Sequence, residues 1–380
     1  MTRGGILVLG AAAATVAILL AGCATGSASP GATDPGTAAT TASTPTPAST
    51  PKPEADPSQV RVPFDCDALY TEATAKTLVG TTVKASGGRT APTNDIRAVA
   101  ERQAGAMICT WGGGHQTEFG PTAYLSIAIA PEAASSYDSN LAANQPAKNH
   151  PVANTAGDKS SYYCKNGGVD SSGYSCSGEL VVGDYWASIS MTHLLPVTPA
   201  AMAKNVQQAM DKTAATLASA PPITLPAWPV PAGPAKAFCS DQTTAKVRTA
   251  MGQPTLTRYK STSSIAITAA TIGLANGVYA DCFWTGPKEP ALDFSILDGG
   301  SWAFPGITPA IPVDSVNYGA RFMSWTVPGA STALVACNKN SCEAFLAVRH
   351  AAVQIDLNGS SRADVAAKLA KLVAIIKSTS

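Results

Sequence analysis

The sequence predicts an α+β protein built from two tandem copies of a small antiparallel-sheet domain packed with helices, with two disulfides per copy. Three observations lead to this fold class. Eight cysteines after position 23 form two sets of four, and a tryptophan follows the second cysteine of each set by two residues. Each half also combines short alternating apolar segments with a closing amphipathic segment, as in sheets packed by helices.

The spacing of the cysteines indicates an internal repeat. Three cysteines of the second half lie 173 residues after their counterparts, in the pairs Cys66 and Cys239, Cys109 and Cys282, and Cys164 and Cys337. Trp284 lies the same distance after Trp111. Cys342 lies 166 residues after Cys176, so the first copy has seven more residues between its last two cysteines. A shared offset over four positions indicates a duplicated domain.

The repeat and the composition together divide the chain into five parts. The predicted parts are a signal peptide at 1–22, a lipidated cysteine and disordered tether at 23–59, a first α+β repeat at 60–218, a proline-rich linker at 219–236 and a second α+β repeat at 237–380. The linker reads SAPPITLPAWPVPAGPAK, and its prolines favour a semi-rigid connector.

The N-terminal segment predicts export and anchoring. Arg3 precedes an apolar run from Ile6 to Gly22, which is the layout of a secretory signal and too short for a comfortable transmembrane helix. The sequence Leu-Ala-Gly-Cys ending at Cys23 resembles the bacterial lipobox, which implies diacylation of Cys23 and anchoring on the outer, extracytoplasmic face of the cell membrane. The alternative is an ordinary signal peptide that contains a cysteine.

The amino-acid composition of the chain limits which binding partners are expected. Residues 24–58 are almost all Ala, Thr, Ser, Pro and Gly, so they cannot form a core and are expected to be a disordered tether. Only 13% of the chain is charged and the net charge is +1. Without a basic patch, nucleic acid is excluded as an expected partner.

The predicted elements recur in the same order in both copies. A helix-like segment follows the first cysteine, DALYTEATAKTLVG in one copy and SDQTTAKVRTAMG in the other, and ends at Gly80 and at Gly252. Period-two strands follow in YLSIAIA and LDFSIL. Amphipathic helices close the copies, with apolar stripes at Met202, Val206, Met210, Thr213 and Leu217 behind Thr198-Pro199, and at Val365, Leu369, Leu372, Val373 and Ile376 behind Ser361.

An exported chain with an even number of repeated cysteines predicts disulfides. Four cysteines allow three connectivities per copy. We favour first with second and third with fourth, because Cys337 and Cys342 flank the short segment NKNS and Cys164 and Cys176 flank a longer loop. The predicted bonds are Cys66–Cys109, Cys164–Cys176, Cys239–Cys282 and Cys337–Cys342.

The tryptophans beside the second cysteines are predicted to be core residues that pack near a disulfide. Stacking of Trp111 and Trp284 on a ligand is the alternative. Gly112–Gly114 follow Trp111 only in the first copy, and this run is expected to form a flexible turn.

Motifs of catalysis and metal binding are missing from the sequence pattern. The four histidines, His115, His150, His193 and His350, do not recur at equivalent positions, so neither a metal nor another cofactor is predicted. Serine-hydrolase and penicillin-recognising motifs do not occur. Acidic residues such as Glu101, Asp184 and Asp293 are present, but nothing in the sequence pairs them as a glycosidase requires. The chain is therefore predicted not to be an enzyme.

Two families share short motifs with this chain. The openings DCDALYTEATAKTLVG and CSDQTTAKVRTAMG, followed by CTW and CFW, resemble actinobacterial lipoprotein domains of unknown function. The segments CEAFLAVRHAAVQIDLNG and ADVAAKLAKLVAIIK are similar to the end of the extracellular sensor domain of PknH-type kinases. That resemblance implies a two-disulfide α+β domain with a cleft, acting as a sensor-like or ligand-binding module, although this chain has neither a kinase domain nor a spanning helix.

These observations together predict a lipid-anchored, non-enzymatic envelope protein that binds an unidentified envelope ligand or protein. A structural or assembly lipoprotein is the alternative, and an enzyme acting on the cell wall is the third possibility. The longer loop of the first copy, YYCKNGGVDSSGYSCSG, contains Tyr162, Tyr163 and Tyr174, which the second copy lacks. These tyrosines are the predicted ligand-binding residues, and a surface loop without a partner is the other interpretation.

Overall fold

Two antiparallel sheets of seven strands organise the chain in a computed structural model. The structure describes residues 55–88, 96–117, 120–137, 152–166, 174–193, 197–231, 233–259, 278–286, 289–306, 322–337, 341–358 and 362–379. Cys23, the predicted signal peptide and most of the predicted tether lie outside these residues. The predicted fold class is confirmed: each sheet packs against helices and carries two disulfides.

The first copy forms one sheet and four helices among the described residues. In chain order its elements are α1 (Cys66–Leu69), α2 (Glu72–Val79), β1 (Val83–Gly87), α3 (Ile96–Gln103), β2 (Met107–Thr117), β3 (Gly120–Ala130), a 3-10 helix (Ala134–Ser136), β4 (Val152–Ala153), β5 (Lys159–Asn166), β6 (Tyr174–Val182), β7 (Tyr185–Thr192) and α4 (Pro199–Ala218).

The second copy repeats this order with small differences. Its elements are α5 (Ala235–Phe238), α6 (Asp241–Met251), β8 (Thr257–Tyr259), β9 (Tyr279–Gly286), β10 (Glu289–Leu297), a 3-10 helix (Gly300–Gly306), β11 (Met323–Ser324), β12 (Thr332–Cys337), β13 (Ser341–Val348), β14 (Ala351–Asn358) and α7 (Arg362–Thr379).

The two sheets have the same topology. The first has the strand order β1-β2-β3-β7-β6-β5-β4, and the second has β8-β9-β10-β14-β13-β12-β11. The register also agrees, since Cys109 lies opposite Ile127 and Cys282 lies opposite Phe294. The copies therefore correspond strand by strand, and a residue of one sheet has a defined equivalent in the other.

The helix-like segments after the first cysteines differ in detail between the copies. In the first copy the segment is broken into α1 and α2, because Thr71 is extended and forms a capping box with Thr74 at the start of α2. In the second copy α6 is continuous behind its N-cap Ser240. Both helices end as predicted, with Gly80 and Gly252 in the left-handed conformation.

The core of each copy lies between one face of its sheet and its closing helix. The apolar stripes of α4 and α7 predicted from the sequence are buried, and Thr198 caps α4 through its side chain. We call this side of each sheet the inner face and the opposite side the outer face. Because side chains alternate along a strand, every second residue belongs to the outer face.

The four disulfides have the favoured connectivity. Cys66 is bonded to Cys109, with Cα atoms 5.5 Å apart, and Cys239 to Cys282, at 5.8 Å. The other two disulfides, Cys164–Cys176 and Cys337–Cys342, join residues that lie directly opposite on neighbouring strands, with Cα atoms 4.1 Å apart in each case. Each copy therefore has one bond from helix to sheet and one across the sheet.

Both repeated tryptophans are core residues, as predicted. Trp111 and Trp284 are 0% exposed. Trp111 packs edge to face with Tyr70 at a centroid distance of 5.7 Å, and Trp284 packs in the same way with Phe238 at 6.3 Å. The indole N–H of Trp284 donates to Thr244 Oγ1 at 3.2 Å.

The prediction of a flexible turn at Gly112–Gly114 is wrong. These residues continue strand β2, and Gly112 and Gly113 pair with Tyr124 and Ala123 of β3. A Cβ atom at Gly113 would lie 2.3 Å from the carbonyl oxygen of Thr82. Glycine at this position allows a close approach between two backbones, which the sequence pattern could not distinguish from a turn.

The proline-rich linker is held at two points. The buried side chain of Arg61 donates from Nε to the Leu225 carbonyl at 3.0 Å and pairs with Glu132 at 2.7 Å. Near the C-terminal end of the linker the Ala235 N–H donates to the Asp298 carboxylate at 3.2 Å. These contacts add to the stiffness that the prolines give to this segment.

Candidate functional site

The outer face of the first sheet carries a continuous row of hydroxyl groups. Its members, which we call the hydroxyl row, lie on five neighbouring strands and are Thr110, Ser126, Ser190, Ser177 and Tyr163. The register places Thr110 opposite Ser126, Ser126 opposite Ser190, Ser190 opposite Ser177, and Ser177 opposite Tyr163. Directly opposed residues have Cβ atoms about 4.5–5.5 Å apart, so neighbouring hydroxyls are within reach of one ligand.

All five side chains of the hydroxyl row are half-buried, so each has solvent contact. Thr110 Oγ1 and Ser126 Oγ lie 3.1 Å apart in a hydrogen bond. The half-buried Tyr124 extends across the strands, and its hydroxyl lies 3.3 Å from Ser190 Oγ. The next row on this face contributes the half-buried Ser188 and Ser161. The face therefore presents many hydroxyl groups that both donate and accept hydrogen bonds.

The predicted tyrosines are divided between the two faces. Tyr162 is only 9% exposed, packs in the core and accepts a hydrogen bond from Gln207 Nε2 at 3.0 Å, so it does not belong to the outer face. Tyr163, its neighbour, lies on the outer face because side chains alternate. The side chain of Tyr174 lies outside the described residues. Sequence reasoning missed the serines of the hydroxyl row. The available signal was a serine at every second position in the segments SISMT and YSCSG.

The equivalent row of the second sheet carries carboxylates. Asp293, Asp356 and Glu343 occupy the positions of Ser126, Ser190 and Ser177, and we call them the carboxylate row. Asp293 lies opposite Asp356, which lies opposite Glu343. Nothing in the sequence paired Asp293 with another acid, whereas the order of the strands places it opposite Asp356. Their pairing depends on strand order, which spacing along the chain does not reveal.

Polar neighbours support the carboxylate row. Gln354 donates from Nε2 to Glu343 Oε1 at 2.8 Å and accepts from the Ile96 N–H at 3.4 Å. On the neighbouring strand Ser295 donates to Asp281 Oδ1 at 3.1 Å. The other two acids considered from the sequence lie elsewhere, with Glu101 in α3 and Asp184 in the turn between β6 and β7.

Helix α3 of the first copy packs on the outer face of the second sheet. Ile96, Val99 and Ala100 are buried in an apolar cluster formed mainly by second-copy residues, including Tyr279, Leu297, Phe345 and Ala352. Sequence reasoning did not predict this helix. Its signal was available as apolar residues at spacing i, i+3 and i+4 in IRAVA.

The C-terminal end of α3 is hydrogen-bonded to the turn after β10. Gln103, which is buried, donates from Nε2 to the Asp298 carbonyl at 2.8 Å and accepts from Trp302 Nε1 at 3.1 Å. The Asp298 side chain receives the Ala235 N–H. Burial raises the pKa of the Asp298 carboxyl to about 6, while the hydrogen bond from Ala235 acts in the opposite direction. One turn thus connects α3, the linker and the second sheet.

Two further properties bear on function. Within the residues that the structure covers, no group of three or more His, Cys, Asp and Glu side chains is arranged to hold a metal ion. Among the described helices, none combines the length and apolar character of a membrane span. Comparisons of the chain with protein-family models, with curated proteins and with solved structures found no match.

Proposed function

We propose that this chain is a lipid-anchored cell-envelope protein that acts as a non-enzymatic ligand-binding module, and that the outer face of its first sheet is the binding face. The Leu-Ala-Gly-Cys sequence at Cys23 supports the anchor. The four disulfides fit an extracytoplasmic location. The second copy then serves as the platform that holds the first copy in place.

The observation that carries this proposal is the difference between equivalent rows of the two outer faces. In the second copy α3 covers the part of the outer face that contains Tyr279, Leu297 and Ala352. The equivalent positions of the first copy, Ala106, Ala130 and Trp186, are buried in a cluster of that copy's own residues. The hydroxyl row lies two rows from this cluster, is half-buried, and has carboxylates at three equivalent positions of the second copy. Divergence after duplication therefore gave the exposed rows of the two copies different chemistry.

The exposed apolar surface supports ligand binding over an assembly role. Among the described residues, the large apolar side chains that are exposed are Val152 and Met323, at 50% and 45%. Each lies on the outermost strand of a different sheet, in β4 and β11. Isolated exposed residues of this kind are ordinary, whereas a surface that docks onto other proteins presents a contiguous apolar patch.

Site-specific photo-crosslinking in intact cells tests the binding face. A photoreactive residue at Ser188, beside the hydroxyl row, is expected to give a covalent adduct of the full-length anchored protein. The same residue at Thr77, which is exposed on α2, is the matched control and should give none. The adduct should also decrease when Ser126, Ser177 and Ser190 are replaced by alanine.

The photo-crosslinking result contradicts the proposal if Ser188 and Thr77 give equal adduct. An adduct that the triple alanine variant forms as efficiently as wild type contradicts it as well. Near-ultraviolet circular dichroism shows whether the variant is folded, and the buried tryptophans supply that signal. Removal of three partly exposed hydroxyls leaves the core unchanged, so the variant is expected to fold.

A cell-wall hydrolase is the second candidate, and the carboxylate row favours it. Two carboxyl groups on neighbouring strands are the minimum that glycoside hydrolysis needs. Asp293 and Asp356 meet that requirement, because they lie directly opposite each other on neighbouring strands. If the purified full-length protein releases reducing ends from isolated cell walls and Asp356→Asn abolishes the release, the chain is an enzyme and the non-enzymatic proposal is wrong.

A further inference from the structure

We infer that the ligand of the first sheet is an uncharged, extended glycan that lies across the strands along the hydroxyl row. This inference rests on the proposed function, because it names the ligand class of the same face. It commits to a polysaccharide of the cell envelope, and a protein ligand is an outcome that would contradict it.

The chemistry of two neighbouring rows favours an uncharged ligand. The five members of the hydroxyl row are serine, threonine and tyrosine side chains. In the next row, Ser188 and Ser161 are also uncharged, and Glu179 is a carboxylate that is only 9% exposed. An anionic polymer would meet no described cation in these two rows, and a cationic ligand would meet a single, mostly buried anion. The exposed Lys159 lies on the same face of β5, beyond Ser161. Hydrogen bonding is therefore the interaction that these two rows offer.

The spacing of the row suits a linear polymer of similar units. Neighbouring strands lie about 4.8 Å apart, so five strands carry hydroxyls over about 19 Å. One sugar unit of an extended glycan advances by a comparable distance along its chain. Successive units can therefore meet successive strands, and each unit finds a hydroxyl that donates or accepts. About four sugar units cover the row.

Aromatic side chains at opposite parts of the face add a second type of contact. Tyr163 occupies one end of the hydroxyl row on β5, and Tyr124 lies on β3, three strands away in the sheet order. Both are half-buried. Tyrosine combines an apolar ring with a polar hydroxyl, so its ring can contact the C–H face of a sugar while its hydroxyl bonds to the sugar edge.

Comparison with the second copy shows why glycan binding is expected only at the first copy. Its equivalent row has Asp293, Asp356 and Glu343 in place of three serines, and Ala336 in place of Tyr163. The tyrosine contact and the hydroxyls are both lost there, and Phe283 takes the position of Thr110. A glycan of the predicted class should therefore bind once per chain.

Titration of the full-length protein in detergent with defined oligosaccharides tests the inference. The probes are linear, uncharged β-1,4-linked glucose oligomers of two, four and six units, with galacturonic acid oligomers of the same lengths as charged controls. Calorimetry is expected to show affinity that rises from two to four units and little further at six, with one site per chain. Galacturonic acid oligomers should bind at least ten-fold more weakly.

Variants connect the titration to the face. Ser126→Ala, Ser177→Ala and Ser190→Ala combined should weaken binding of the four-unit oligomer at least ten-fold. Tyr163→Ala should also weaken it, and Tyr163→Phe should retain most of the affinity because the ring is kept. Thr77→Ala, on the exposed surface of α2, is the control and should bind as wild type does.

The outcomes separate this inference from the proposed function. If face-specific crosslinking at Ser188 occurs but no uncharged oligomer binds, the glycan assignment is wrong and the binding face stands. The same conclusion follows if protease digests the crosslinked partner to a small peptide, because the partner is then a protein. If neither crosslinking nor titration depends on the three serines, both proposals are wrong.

Discussion

At the residue scale, two glycines with the same backbone role face different surroundings. Gly80 and Gly252 end α2 and α6 with φ angles of 76° and 69°. A Cβ atom at Gly80 would lie 2.2 Å from the imidazole of His193, whereas a Cβ atom at Gly252 would meet nothing within 4 Å. The left-handed conformation costs a non-glycine residue about 1–2 kcal/mol. The difference between the two sites is therefore steric.

Alanine at each glycine tests this difference. Gly252→Ala should lower the free energy of unfolding by about 1 kcal/mol, the conformational cost alone. Gly80→Ala should lower it by about 1 kcal/mol more, because the His193 side chain must also move. Chemical denaturation of both variants measures the two values. Equal losses would show that His193 adapts without cost.

The buried carboxyl of Asp298 makes stability depend on pH. Its pKa is raised by burial from 3.8 to about 6, so between these pH values the carboxyl is mostly protonated in the folded state and mostly ionised in the unfolded state. Its contribution to stability is therefore fully present at low pH and declines as the pH rises through 6. The full rise corresponds to about 3 kcal/mol.

Asp298→Asn removes this dependence and keeps an oxygen that accepts the Ala235 N–H. Relative to wild type, the variant should gain about 1–3 kcal/mol in free energy of unfolding at pH 8. The gain should decrease towards pH 4, where the wild-type carboxyl is protonated. Urea denaturation at a series of pH values provides the comparison. A gain that does not change with pH would rule out titration of Asp298 as its cause.

At the element scale, the two kinds of disulfide close loops of very different length. The Cys66–Cys109 bond links residues 43 positions apart and ties the first helix to β2, whereas Cys337–Cys342 spans five positions within one hairpin. In the chain-entropy model the long loop stabilises by about 4 kcal/mol and the short one by about 2 kcal/mol. The hairpin is already held by the β12–β13 ladder.

Paired substitutions measure these contributions. Cys66→Ala with Cys109→Ala should lower the free energy of unfolding by about 4 kcal/mol, and Cys337→Ala with Cys342→Ala by about 2 kcal/mol. Denaturation of the oxidised variants gives both values, with the Cys239 and Cys282 pair as an internal repeat of the first. A larger loss for the hairpin bond would contradict loop closure as the main source of stabilisation.

The sequence predicted those elements whose signals are local and repeated. The cysteine offset, the glycine caps and the period-two strands each involve neighbouring residues or a second copy for comparison, and all appear in the structure. The hydroxyl and carboxylate rows depend instead on the order of strands within a sheet. Ser126 and Ser190 are 64 positions apart in the chain, and only the β3–β7 pairing brings them together.

Helix α3 escapes prediction for a related reason. It is only eight residues long, and its apolar side packs against residues of the other copy. Periodicity indicates that a segment has an apolar side, but it does not identify the surface that covers it. Gln103 and Asp298 likewise meet across 195 positions. Contacts between the two copies are therefore the part of the fold that the sequence pattern did not predict.

At the scale of the whole molecule, the two copies are not independent units joined by a linker. The outer face of the second sheet contains Tyr279, Leu297 and Phe345, which are buried together with Ile96 and Val99 of α3. Burial of a single valine or isoleucine side chain contributes about 1.5–3 kcal/mol. A helix encoded in the first copy thus stabilises the second, and unfolding of the two copies is expected to be coupled.

Val99→Asp tests this coupling. A carboxylate at this position enters an apolar cluster, which is expected to cost about 3 kcal/mol or more. Calorimetry should then show two separate unfolding transitions in place of one, since the copies lose their shared cluster. Ala73→Asp, on the exposed first turn of α2, adds the same charge to the same copy and should leave a single transition.

Amide hydrogen exchange identifies which copy is affected. If α3 supports the second sheet, Val99→Asp should reduce protection in β10, β13 and β14 more than in the equivalent strands β3, β6 and β7, although the substitution lies in the first copy. Greater loss of protection in β3, β6 and β7 would mean that α3 mainly stabilises its own copy. The binding face makes that result functionally relevant, because the second sheet can hold the first in place only if their unfolding is linked through α3.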